Sequence, residues 1–100
     1  MSESSGEVLS VAIFDALPGH EEDAATTMRE LMQALASKGY SRDQLYRDGA
    51  NQNHFVLLRY WRSEDARQQA SEDPEIHKFW ARLGNLIQIV RIYETLHEAK

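Results

Sequence analysis

Apolar residues change their spacing several times along the chain, and each change marks an element. Val8 to Leu17 is dominated by β-branched and aromatic residues and stops at Pro18-Gly19, which predicts a strand. From His20 to about Lys38, Ala24, Ala25, Met28, Leu31, Met32, Leu35 and Ala36 recur at helical spacing behind the acids Glu21, Glu22 and Asp23, and Gly39 closes the run. Tyr40 to Arg47 reads as a weaker strand, Asp48 to Asn53 as a hairpin loop and His54 to Trp61 as a third strand. Ser63, followed by Glu64 and Asp65, is a helix start: its hydroxyl can accept from free N–H groups and the acids suit the positive end of the dipole. That helical stretch runs to about Leu83 and is interrupted near Asp73-Pro74, since the residue before proline avoids the helical region while proline opens a helix well. Gly84-Asn85 ends it, and Ile87 to Leu96 forms the last strand.

The order β-α-β-β-α-β predicts an α+β, ferredoxin-like fold, an antiparallel sheet with both helical stretches on one face. Such a sheet, if its other face met water, would alternate apolar and polar residues. Here Leu9, Val11 and Ile13 oppose Ala12, Phe14 and Ala16, and Phe55 and Leu57 oppose Val56, Leu58 and Tyr60, so both faces are apolar. Helices cover one face only. The other is therefore expected to pack on a second copy, giving a homodimeric α/β barrel with an interface of about 2,000 Å² or more.

One hundred residues make one domain, read as 8–97 behind a frayed tail over 1–7. A chain of this length buries only about 60–65% of its unfolded surface, which again favours assembly. The net charge of -5, with Arg and Lys scattered, argues against nucleic acid or an anionic membrane as partner. The absence of cysteine removes thiolate nucleophiles and Cys-based metal centres and fits a cytoplasmic location. Met1 to Glu7 has neither the basic nor the apolar segment of a secretion signal. No two histidines stand at metal-ligand spacing, and there is no glycine-rich phosphate loop or serine nucleophile elbow.

With this order and these strings the chain resembles the antibiotic biosynthesis monooxygenase-like family of dimeric α/β-barrel proteins. The resemblance covers about residues 8 to 97. It is carried by Leu45-Tyr46-Arg47-Asp48, by the block from Phe55 to Asp65, and by Asp73-Pro74-Glu75-Ile76-His77-Lys78-Phe79. It implies either a cofactor-independent monooxygenase acting on a small aromatic or quinone-like substrate, or a non-catalytic ligand-binding or dimerisation module of the same fold. Haem degradation is a third, weaker reading. Trp61 matches the tryptophan of the haem-degrading branch, but Val8 to Leu17 contains no asparagine and His77 stands earlier on its helix than the expected ligand. Gln68-Gln69-Ala70-Ser71 also occupy the place where many relatives carry a histidine.

Under the oxygenase reading, with neither cofactor nor metal, two residues are assigned catalysis. His77, one step off the stripe formed by Ile76, Phe79, Trp80 and Leu83, would take a proton from an acidic phenol or enol; alternatively it is a solvated helix histidine paired with Asp73. Trp61, at a strand-to-helix corner, would offer its indole N–H to a substrate oxygen, or serve only as core. Tyr46 and Trp80 would shape the pocket, and Met32, with Met28, would supply an adaptable wall or plain core filler. Arg59 shares the strand face of Trp61, and burying a guanidinium is costly without a partner. Its expected partner is Glu94 or Asp15, with an anionic substrate as the alternative.

Overall fold

The computed structural model describes residues 6–99, so most of the tail expected over 1–7 lies outside the described residues. Four strands and three helices follow in the order β1 (Val8–Ala16), α1 (Glu21–Ser37), β2 (Ser41–Arg47), β3 (His54–Trp61), α2 (Glu64–Ser71), α3 (Pro74–Leu83) and β4 (Ile87–Leu96). The strands form one antiparallel sheet in the order β2-β3-β1-β4. This is the ferredoxin-like arrangement, with the second helical stretch split in two.

The split has the cause the sequence predicted. Asp73 caps α3 by accepting from the Glu75 N–H at 2.9 Å, and Pro74 occupies the first turn, where a missing N–H costs nothing. Ser63 starts α2 in the same way, accepting from Ala66 at 3.0 Å. Gly39 follows α1 with φ +74, a left-handed conformation that favours glycine; a Cβ there would meet only the movable Arg62 guanidinium, so conformation and not space selects the residue.

Strand parity divides the sheet. Phe14, Ala16, Phe55, Leu57 and Trp61 point to the helices and are buried with Leu31, Leu35 and Ile76. Phe14 and Phe55, directly paired across β1 and β3, stack with ring centroids 5.1 Å apart. Leu9, Val11, Ile13, Val56, Leu58 and Tyr60 point away from the helices and stay half-buried, because none of the described helices lies on that face.

One carboxylate ties the helical layer to the sheet. Asp73 accepts from Lys38 Nζ at 2.7 Å, just past α1, and from the Tyr40 hydroxyl at 2.8 Å, at the approach to β2. Chiefly through the Lys38 bond, and then through Tyr40, its pKa falls from 3.8 to about 2. Its own bond to Asp73 raises the Tyr40 phenol, and the bond to Asp73, reinforced by Glu75, raises the Lys38 ammonium.

Candidate functional site

Between the inner face of the sheet and the helices runs a cleft with two contiguous lobes. The outer lobe, about 470 Å³, lies against Ser10, Trp61, Arg67 and Ser71; the deeper lobe, about 430 Å³, lies against Phe14, Met28, Leu31 and Leu83. Ala12, Leu57, Arg59, Trp80 and Ile92 border both. The lining is apolar apart from a few placed polar groups, as in sites for small organic molecules. Both tryptophans of the chain border it.

Arg59 is the buried cation of this site, only 8% exposed. Its partner is neither Glu94 nor Asp15 but Asp43, which lies directly opposite it in the β2–β3 register. Nε and Nη2 donate at 2.9 and 2.8 Å to the same oxygen, Oδ2. The other carboxylate oxygen accepts from the Ser41 hydroxyl at 2.9 Å, and the Asp43 side chain is 1% exposed. A buried ion pair is tolerated when its remaining hydrogen-bonding capacity is filled, and Ser41 does this for the carboxylate. The fork also lies 5.5 Å from the centre of the Trp61 ring.

Trp61 is buried at the junction of β3 and α2, but its indole N–H is already engaged, donating to Ser10 Oγ at 3.1 Å. Ser10 in turn donates at 2.7 Å to the Glu94 carbonyl, which also accepts from Arg67 Nη1 at 2.8 Å. Trp61 therefore offers the cleft its ring, and donation to a ligand would require breaking the Ser10 bond. Trp80, half-buried on α3, borders both lobes. His77 packs beside it, centroids 5.3 Å apart, with Nε2 bonded to the Ser71 carbonyl. Ser71 and Trp80 line the cleft; the imidazole itself is exposed one layer outside it. The alternative pairing of His77 with the Asp73 carboxylate is not formed, since Lys38 and Tyr40 hold that group.

Two expected wall residues stand elsewhere. Tyr46 is 52% exposed and pairs with Val56 on the far face of the sheet, so strand parity turns it away from the cleft. Met32 packs half-buried against the core, whereas Met28, one turn earlier on α1, borders the cavity. Sequence reasoning missed Ser10, Asp43 and Arg67, and gave Glu94 only as a partner for Arg59, whereas its carbonyl anchors Ser10 and Arg67. Ser10 had a visible signal, a polar residue among the inward positions Val8, Ala12, Phe14 and Ala16. Among the described residues no cluster of three His, Cys, Asp or Glu side chains is placed to hold a metal ion. None of their helices is long and apolar enough to cross a membrane.

The frame recurs in solved structures. PA3566 from Pseudomonas aeruginosa is 21% identical, with a TM-score of 0.80 over 98% of this chain and 100% of its own. SnoaB, a cofactor-independent oxygenase from Streptomyces nogalater, is 21% identical, with a TM-score of 0.77 over 94% of this chain and 96% of its own. A candidate antibiotic biosynthesis monooxygenase from Bacteroides thetaiotaomicron is 11% identical, with a TM-score of 0.83 over 95% and 92%. No curated protein sequence matches the chain. At these identities the structural likeness speaks for the fold. Kinship is carried by the sequence model of antibiotic biosynthesis monooxygenases, which matches residues 8–82, the stretch that builds β1 to α3 with Arg59, Trp61 and Trp80. The chain thus belongs to the antibiotic biosynthesis monooxygenase family.

Proposed function

We propose that the protein is a cofactor-independent monooxygenase of a small, flat, phenol- or quinone-like molecule bound in the cleft. The observation that carries this reading is the cleft itself: apolar walls, two tryptophans along them and one buried cation. A flat ring system would lie against Trp61 and Trp80, with buried Leu57 excluding water beneath it. Met28 and Leu31 close the deep end.

The reaction that suits such a site converts an activated CH2 and O2 to C=O and H2O. Loss of a proton gives an electron-rich anion, which passes one electron to O2; radical and superoxide join at carbon, and the resulting peroxide loses water to leave the carbonyl. In this scheme His77, beside the mouth-lining Trp80 and Ser71, is the proton acceptor. With Nε2 donating to the Ser71 carbonyl, Nδ1 is the nitrogen left to accept. A second copy of the chain is proposed to cover the bare sheet face, supported by the apolar set Leu9, Val11, Ile13, Val56 and Leu58.

Anthrone, with an acidic methylene between two rings, tests the chemistry. The expected result is uptake of one O2 per anthraquinone formed, with one atom of labelled O2 in the new carbonyl and the other in water. Anthrone bound without turnover above the protein-free rate would instead favour a non-catalytic binding module. The specific observation on that side is that, among the described residues, no imidazole lines the cleft.

A further inference from the structure

Arg59 is more exactingly placed than a core ion pair requires. A guanidinium carries five N–H donors and cannot discharge its charge by losing a proton. Here Nε and Nη2 converge on a single oxygen of Asp43, and the other oxygen is held by Ser41. Nη1 has no hydrogen-bond partner among the described residues. None of their fully buried side-chain nitrogens or oxygens is left without a partner, so Nη1 must reach open space. The open space that Arg59 borders is the cleft, in both of its lobes. Asp43 stands on the β2 side, so the pair is oriented with its cationic end toward the cavity. Around that end the walls are Ala12, Leu57 and Ile92, which offer no competing polar group. The other charged lining residues, Arg67 and Glu94, have opposite signs and leave little net field at the rim.

From this geometry we infer that the cleft takes its aromatic ligand as an oxyanion, an ionised phenol or enol, seated on Nη1 of Arg59. The inference rests on the proposed aromatic-substrate reading and deepens it. A ring that carries an ionised hydroxyl, or a ketone such as anthrone once its methylene proton has been lost to His77, would be held in preference to a neutral ether of equal size, and the bound anion would be the electron-rich form that oxidation by O2 requires. The Arg59–Asp43 pair is already assembled, so binding needs no rearrangement of the guanidinium.

Two commercial probes of nearly equal shape separate the outcomes. 2-Hydroxy-1,4-naphthoquinone is an anion at neutral pH; 2-methyl-1,4-naphthoquinone is not. In calorimetric titration, with quenching of Trp61 and Trp80 to report the site, the hydroxy compound is expected to bind about ten- to a hundredfold more tightly, the range of a charged hydrogen bond. Arg59→Gln combined with Asp43→Asn keeps a hydrogen-bonding pair without charge and should abolish that preference, with circular dichroism reporting whether the variant is folded. If it is not, the native protein decides, because its preference should fall away as acid protonates the hydroxy probe, and a preference indifferent to that protonation would overturn the assignment. Equal affinities in the native protein, or a preference that survives the double substitution, would overturn the oxyanion assignment alone. If neither probe binds, the aromatic-ligand reading falls and this inference with it.

Discussion

β3 and β4 are written in nearly the same alphabet and meet opposite fates. In β3 every second residue, from Phe55 to Trp61, is buried and the residues between are half-buried. In β4 only Ile87 reaches half-burial: Ile89 and Ile92 stay 48% and 52% exposed at the cleft wall, and Val90 and Leu96, outside it, stay 54% and 38% exposed. The cause is position. β3 is paired on both edges, by β2 and β1, with helices above its inner face; β4 is an edge strand, paired only with β1. A strand's apolarity records what it needs covered, and a bare, apolar edge strand invites a further partner. That contrast supports a second copy of the chain more directly than the composition does.

The contrast can be attacked at its strongest point first. Arg59→Met on β3 leaves Asp43 charged, buried and unpaired, and should cost about 3–5 kcal/mol in urea denaturation. A cost near that of a surface change would mean that water reaches the pair. The next test is Leu58→Glu, on the far face of the same strand, where Leu58 lies between Val11 and Gln44. If a second copy covers that face, the charge should dissociate it, halving the mass seen in sedimentation at micromolar concentration, and cost about 1–3 kcal/mol. A native protein that already sediments as a single folded chain would remove the second copy from the account.

The smallest effect concerns neither strand and serves as a control. Asp73 titrates near 2 when folded and near 3.8 when not, so between these values the unfolded chain binds more protons than the folded one. Its contribution is complete above about pH 4 and is lost as pH falls toward 2. Asp73→Asn should flatten that part of an acid-unfolding curve and leave the neutral region parallel to the native one. An unchanged acid limb would show that the Lys38 and Tyr40 bonds do not hold in solution.

Much of the frame was legible in the residues. β3 and β4 lie where periodicity put them, α1 differs by one residue at each end, and the break before Pro74 follows from proline's own geometry. The site was legible only in part. Trp61, Arg59 and Trp80 fall on inward positions and meet in the cleft, because period-two and helical spacings fix which face a residue takes. Tyr46 was misjudged although its neighbour Leu45, half-buried on the inner side, marks Tyr46 as outward. The partner of Arg59 depended on hairpin register, which brings Asp43 opposite it across sixteen residues of chain, and local pattern does not reveal register. His77 shows the same limit on a helix: one step off the apolar stripe is compatible with the cleft or with solvent, and neighbouring Trp80 takes the inner place.

The hydroxyl of Ser10 works as a latch across three strands. It accepts from the indole N–H of a ring on β3 and donates to the carbonyl of Glu94 on the edge strand β4. An event at the carboxyl end of the chain, such as fraying of β4 or its capture by another molecule, would thus be felt at the mouth of the cavity. The freed indole would then turn from a silent wall into a hydrogen-bond donor, and its fluorescence would register the change before any loss of helix.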